Sequence, residues 1–223
     1  MRSVVVVAGG TGSRMKTETP KQFLELAGKP VIMYTIEKFL LFDPSIKIVL
    51  VLPDSHLIVW DSLKERYKST RSVIVTTGGA TRFHSVMKGL ANIGKDEIVA
   101  IHDAVRPLVS LETLKRCYSE AEKSGSAIPV IHNEDSLRTV IGLGSNVLDR
   151  NTVKRVQTPQ VFRASKLQTA YENCLEQGYT DDASVFESYY GQITLVEGNI
   201  ENIKITFPSD MKVAEALLLA EGK

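Results

Sequence analysis

Three glycines, Gly9, Gly10 and Gly12, follow the valine run Val4 to Val7, and two cations, Arg14 and Lys21, come shortly after them. Glycines at the end of a strand let the backbone take positive φ and approach a bound group closely. The loop offers main-chain N–H donors, Arg14 a planar fork and Lys21 a point charge, a combination suited to a triphosphate. Two familiar phosphate loops fit less well. A dinucleotide fingerprint begun at Gly10 finds Gly12 in its second place but Met15 in its third. A Walker A loop begun at Gly9 or Gly10 finds Arg14-Met15 or Met15-Lys16 where Gly-Lys-Ser/Thr belongs.

A second glycine-bearing junction, Gly78-Gly79-Ala80-Thr81-Arg82-Phe83-His84-Ser85, reads equally well as a ligand loop or as a tight turn with Thr81 capping a helix. Farther on, the apolar run Ile98 to Ile101 ends in His102-Asp103-Ala104-Val105-Arg106-Pro107. Ligands of open α/β sheets bind outside the carboxyl ends of strands, so Asp103 is a candidate for a metal or a sugar and Arg106 for a phosphate. A structural ion pair between the two is the alternative.

These residues must be positioned by a sheet. Four valines without polar alternation read as a strand buried on both faces, the pattern of a parallel sheet covered by helices. Helices are expected from Pro30 to about Leu41, His56 to Arg66, Thr81 to about Leu90 and Leu111 to Ser124. Strands are expected at Lys47 to Leu52, Ser72 to Thr76, Ile98 to Ile101 and Ala127 to Val130. The alternation predicts an α/β fold with a mostly parallel sheet. It breaks between Ser136 and Phe162, where extended runs at Leu137 to Leu143 and Asn146 to Leu148 surround a turn spanning Gly142 to Asn146. We read a protruding β-arm at about 134–160. Exposed Leu137, Val140, Ile141 and Val147 would leave apolar surface in water, so the arm is expected to pack on a second subunit. Ser165 is expected to cap a helix running to Gly178, and Thr180 the next, with Asp181 and Asp182 in its first turn. Strands at Thr194 to Val196 and Glu201 to Thr206 and a helix from Ser209 to about Leu219 complete the chain.

The whole composition narrows the class. At 223 residues and 43% hydrophobic the chain fits one large domain, 1–223. Net charge of +1 suggests neither a nucleic-acid footprint nor a polybasic membrane patch. Cys117 and Cys174 lack metal spacing and read as reduced thiols of a cytoplasmic protein. The N-terminus runs into the first strand without room for a signal peptide, and no apolar run approaches membrane-spanning length. His56, His84, His102 and His132 are scattered without a visible triad, and none is assigned a proton-transfer role.

Ala8-Gly9-Gly10-x-Gly12-x-Arg14-Met15 with Pro20-Lys21 resembles the signature loop of sugar-phosphate nucleotidyltransferases. Further motifs narrow the resemblance to the 2-C-methyl-D-erythritol 4-phosphate cytidylyltransferases: His102 to Pro107, Asp149-Arg150-Asn151 with Thr158-Pro159-Gln160, and Val196-Glu197-Gly198 with Asn202-Ile203-Lys204-x-Thr206. The resemblance implies a Rossmann-like doubly wound sheet and the conversion of CTP and 2-C-methyl-D-erythritol 4-phosphate to 4-diphosphocytidyl-2-C-methyl-D-erythritol and pyrophosphate, a step of isoprenoid precursor synthesis. It places Ala8, Gly9, Gly10, Gly12, Gly78, Gly79, Ser85, Asp103 and Ala104 at the nucleotide, and Arg14, Lys21 and Lys204 at the reacting phosphates. Mg²⁺ is implied on the triphosphate, with Asp103 touching it or the sugar hydroxyls. Asp103, Arg106 and Thr180 are implied at the polyol phosphate, together with Ser136 and Arg150 from the partner's arm in a homodimer. The chain departs from many members in having Ala80 in place of an acidic residue, and in the extra residues Ile131 to Glu134 before Asp135-Ser136. Two rival readings are a ribitol-5-phosphate cytidylyltransferase, which shares nearly all these motifs, and a catalytically silent nucleotide-binding protein on the same fold. Arg14, Lys21 and Lys204 together speak against the second, since a binding module needs no cations on both sides of an α-phosphate.

Overall fold

The structure, a computed structural model, describes residues 1–9, 15, 19–174 and 178–221, and the strand of the valine run lies inside its main sheet. Arg2–Val7 (β1) is followed by a small hairpin of Glu25–Leu26 (β2) and Lys29–Pro30 (β3), then Val31–Phe42 (α1), Lys47–Leu52 (β4), Leu57–Arg66 (α2), Ile74–Thr77 (β5) and Arg82–Leu90 (α3). Next come Ile98–Asp103 (β6), Leu111–Ser124 (α4), Ser126–His132 (β7), the hairpin Leu137–Ile141 (β8) and Gly144–Leu148 (β9), Lys154–Val156 (β10) and Gln160–Arg163 (β11). Ala164–Asn173 (α5), Asp182–Tyr190 (α6), Leu195–Glu197 (β12) and Pro208–Glu221 (α7) follow.

Strands β6, β1, β4 and β5 lie side by side and parallel. The chain winds outward from β1 to β5 and then crosses back to β6 on the other side of β1. This reversal opens a crevice beyond the carboxyl ends of β1 and β6. Antiparallel β11 lies between β6 and β7, and β7 also carries β10 and β12. Alternate valines of β1 feed opposite cores. Val4 and Val6 pack with Ile36, Trp60 and Tyr118 from α1, α2 and α4, while Val5 packs with Val86, Leu167 and Phe186 from α3, α5 and α6. Both faces are dry, which is why the run shows no polar alternation. Gly89 brings α3 hard against the sheet, since a Cβ there would overlap Val5.

Local capping explains several boundaries. Ser110 accepts from Thr113 N to start α4, and Gly125, at φ 97°, ends it. Thr81 caps α3 by accepting from His84 N. Other expectations are corrected. Helix α5 starts at Ala164 after Arg163, so Ser165 lies in its first turn and does not cap it, and the helix stops at Asn173 well before Gly178. Asp181, not Thr180, caps α6, because its carboxylate accepts from Ser184 N while the Ser184 hydroxyl accepts from Asp181 N. The segment from Glu201 to Thr206 joins no sheet. Ile205 N bonds to Val105 O, and the alternation of Ile203 and Ile205 serves a small cluster with Leu26, Val105 and Leu108 beneath α7. The strand expected from Ser72 begins at Ile74. The arm turns more tightly than expected, on Gly142 and Leu143 between paired Ile141 and Gly144, with Gly142 at φ 56°.

Candidate functional site

Ala8, at the end of β1, is fixed by its N–H on Val51 O (2.9 Å) and by Gln22 Nε2 donating to its carbonyl (2.8 Å). Gly9 and Ala8 form one wall of a crevice of about 360 Å³, also lined by Lys21, Gly79, Arg82, Ser85, Asp103 and Lys204. Lys21 is buried on a short 3₁₀ turn, and its Nζ donates to Ile205 O at 3.1 Å, tying the glycine-loop side to the segment that carries Lys204. On the far wall the Ser85 hydroxyl donates to Thr81 O (2.8 Å) and accepts from Gly79 N (3.1 Å). Gly78 N bonds to Leu52 O at 2.7 Å, and a Cβ on Gly79 would overlap His84. Backbone there runs too close to its helix for any larger residue.

Asp103, the last residue of β6, stands where this crevice meets a second cavity of about 200 Å³ lined by Arg82, Arg106, Thr158, Gln160, Thr180, Asp181 and Lys204. Its Oδ2 lies 2.9 Å from Lys204 Nζ and 3.4 Å from Arg106 Nε. Burial alone would raise the Asp103 pKa, but the charges of Lys204, Arg82 and Arg106 outweigh it and hold the carboxyl well below the usual carboxylate range. The group is therefore an anion inside a ring of cations. Arg106 is also buried, which pulls its pKa down against the opposing pull of Asp103, and its Nη1 donates to Asn202 O at 2.8 Å. Lys204 keeps its side chain 42% exposed and so still faces solvent and any bound anion.

Arg82 is the residue that the sequence reading missed. Its guanidinium grips the fully buried Asp182 with two hydrogen bonds, 3.1 and 2.6 Å, and Tyr171 OH donates to the same carboxylate at 2.7 Å. Burial opposes its charge, yet Asp182 keeps its pKa above the ordinary arginine value. Arg82 thus joins α3, on the nucleotide-loop side, to α6, beside Thr180. Arg82 stands beside the glycines and the Thr81 cap, and no local pattern marks its partner, which lies 100 residues away. His102 is likewise fully buried, and burial drives its pKa down to about 4, so the ring is neutral at physiological pH.

The structure thus brings together Ala8, Gly9, Lys21, Gly79, Ser85, Asp103 and Lys204 at the crevice and Asp103, Arg106, Thr180 and Lys204 at the adjoining cavity. Gly78 lies behind the wall. Ala104 is fully buried, with its N–H on Val7 O and its carbonyl accepting from Thr35 Oγ1, so its backbone is committed to the fold. Ser136 and Arg150 stand exposed on the arm, away from both cavities, and Arg150 Nη1 donates to Glu134 O at 2.6 Å. Gly10, Gly12 and Arg14 lie outside the described residues. Among those described there is no cluster of three or more His, Cys, Asp or Glu able to cage a metal, but no hydrogen bond reaches Asp103 Oδ1. A carboxylate oxygen with no donor among the described residues, at the edge of the crevice, would suit Mg²⁺, which takes few protein ligands and keeps its waters. The described residues fit that ion.

Comparison with known proteins points one way. The family model described as 2-C-methyl-D-erythritol 4-phosphate cytidylyltransferase matches residues 2–220. A protein of that name from Bacteroides fragilis is 48% identical over 217 residues, covering 97% of this chain and 99% of its own. Another, from Phocaeicola vulgatus, is 46% identical with the same coverage. Among solved structures, the 4-diphosphocytidyl-2C-methyl-D-erythritol synthase of Anaerococcus prevotii superposes with a TM-score of 0.83 at 26% identity, covering 97% of this chain and 95% of its own. The 2-C-methyl-D-erythritol 4-phosphate cytidylyltransferase of Thermus thermophilus gives 0.78 at 28% identity, with coverage of 97% and 98%.

Proposed function

The chain belongs to the 2-C-methyl-D-erythritol 4-phosphate cytidylyltransferase family, and from that premise we propose how its crevice performs the transfer. The enzyme moves the cytidylyl group of CTP to 2-C-methyl-D-erythritol 4-phosphate in isoprenoid precursor synthesis. The observation that carries the mechanism is the shared edge of the two cavities, where Lys204, Asp103 and Arg82 line both. CTP occupies the crevice beyond β1, with its triphosphate toward the glycine loop, Lys21 and Arg14. The polyol phosphate occupies the cavity of Arg106 and Thr180.

A phosphate monoester is mostly dianionic at neutral pH, its second pKa being about 6. One of its oxygens attacks the α-phosphorus of CTP, the new P–O bond forms as the bond to the β-phosphate oxygen breaks, and pyrophosphate leaves. No base is needed, because the nucleophile carries no proton to remove. What must be overcome is repulsion between anions, so fixed cations and alignment supply the catalysis. Lys204 faces both bound anions, while Asp103 holds its ammonium at the junction. Lys21 lies on the other side, held by the Ile205 carbonyl. Asp103 would be the carboxylate nearest a Mg²⁺ on the triphosphate, an ion that would supply charge neutralisation to the leaving group.

We infer further that the enzyme acts as a homodimer in the cytoplasm. Val140, Ile141, Leu143 and Val147 are exposed on the arm, which favours a partner surface, although Leu137 is half-buried within its own chain. Cys117 and Cys174 are free thiols, and no helix among the described residues is long and apolar enough to cross a membrane.

The mechanism is tested by Lys204→Ala and Lys21→Ala in a pyrophosphate-release assay. Each is expected to lower kcat by about 10²-fold or more, as loss of a donor to a developing charge does. A change confined to KM would show that these cations bind substrate without acting on the transition state.

A further inference from the structure

We propose that His102 is a positioning residue for the transfer: its imidazole, protonated at Nε2 alone, ties both ends of the Asp103-to-Arg106 turn to Thr158. The assignment follows from hydrogen bonding. His102 Nε2 lies 3.1 Å from the carbonyl oxygen of Arg106, which can only accept, so Nε2 carries a proton. His102 Nδ1 lies 3.0 Å from Thr158 Oγ1, and the same hydroxyl oxygen accepts from Asp103 N at 3.1 Å. Among the described residues the buried Thr158 hydroxyl has no other acceptor than Nδ1. Were Nδ1 protonated, it and Asp103 N–H would both donate to the one hydroxyl oxygen, and the hydroxyl proton would have to turn away from the ring into the second cavity, where no described residue accepts it.

A directed chain results: Asp103 N–H donates to Thr158, Thr158 O–H to His102 Nδ1, and His102 Nε2–H to the Arg106 carbonyl. Arg106 N–H closes the turn on Asp103 O at 3.1 Å. The ring is held edge-on by Phe39, with centroids 5.1 Å apart and planes at 71°. The chain therefore fixes the main chain from which the Arg106 side chain departs and the Thr158 hydroxyl, and both residues line the second cavity and not the first. A flexible side chain at 102 would let the turn drift. A rigid, single-tautomer ring does not.

For its effect on turnover the inference rests on the proposed function, whereas the protonation state of the ring rests on hydrogen bonds alone, and the experiment separates the two. In protein labelled with ¹⁵N-histidine at pH 7.5, one ring should show the Nε2–H tautomer and vanish from the spectrum of His102→Phe. An Nδ1–H or doubly protonated ring at that position overturns the proposal, whether or not the protein turns over substrate. In kinetics, His102→Phe keeps an aromatic ring beside Phe39 but neither hydrogen bond. It should lower kcat/KM for 2-C-methyl-D-erythritol 4-phosphate about tenfold or more while KM for CTP moves less than about threefold. Thr158→Val should give the same split and Thr158→Ser recover part of the loss, a comparison that stands even if His102→Phe fails to fold. Equal losses toward both substrates, or no loss beyond about twofold, would contradict a positioning role.

Discussion

Single side chains in this crevice are set by their neighbours more than by their own chemistry. Lys204 reads from sequence as an ordinary exposed lysine, and only the motif around it gave it a role. In the structure its ammonium lies 2.9 Å from a carboxylate between two cavities. Arg82 was invisible for a related reason, because its partner Asp182 lies far along the chain and periodicity carries no information about such pairs. His102 makes a consequence of burial measurable. Its folded pKa of about 4 lies below the unfolded value of about 6.5, so between those limits the unfolded chain binds the proton that the folded one refuses. Stability is then complete above about pH 6.5 and lost as pH falls toward 4. Lowering pH from 7 to 5 should remove about 2 kcal/mol through this group alone. Urea unfolding at the two pH values should show the loss in the wild type and a correspondingly smaller loss in His102→Phe. Equal pH dependence in both proteins would mean that the ring is not held neutral.

Elements were legible where termination chemistry is unambiguous. Ser110 and Gly125 bracket α4 at the expected residues, and Thr81 caps α3 as expected. They were less legible where two neighbours could do the same job. Thr180 and Asp181 both suit an N-cap, and the reciprocal bond with Ser184 decided for Asp181, leaving Thr180 exposed at the second cavity. Alternating Ile203, Lys204 and Ile205 has the period of a strand, yet the same period arises when an extended segment packs apolar residues on a loop. The hairpin β8–β9 is the element whose role reaches beyond one chain. Its exposed apolar residues, with Ser136 and Arg150 at its base, suit an arm that completes a neighbour's site, and within its own chain Arg150 lines neither the crevice nor the adjoining cavity. If the site is composite, Lys21→Ala and Arg150→Ala homodimers should each be nearly inactive. A heterodimer of the two should have one site with both defects and one with neither. Co-refolding, with subunit exchange followed by mass, should therefore restore activity to about half the sites of each heterodimer. Complete exchange without recovery would place Arg150 in its own chain's chemistry or in none.

At the scale of the whole molecule the sheet explains why chemistry gathers at one edge. The reversal of winding at β1 leaves the ends of β1 and β6 open side by side, and loops from β5, β6 and the Lys204 segment converge there. The parallel core was legible in the valine run, whereas the arm expected at about 134–160 is shorter than that: only β8 and β9 stand off, and β10 and β11 at Lys154–Val156 and Gln160–Arg163 return to pair antiparallel in the main sheet. The assignment of the crevice to CTP and a branched polyol phosphate is the claim on which the rest depends. It is tested most directly by pyrophosphate release from CTP, UTP and ATP, each paired with 2-C-methyl-D-erythritol 4-phosphate and with ribitol 5-phosphate, with and without EDTA. Release should be fastest with CTP and the methylerythritol phosphate and should cease when EDTA removes divalent cations. Equal rates with UTP, faster turnover of the ribitol ester, or full activity in EDTA would contradict it.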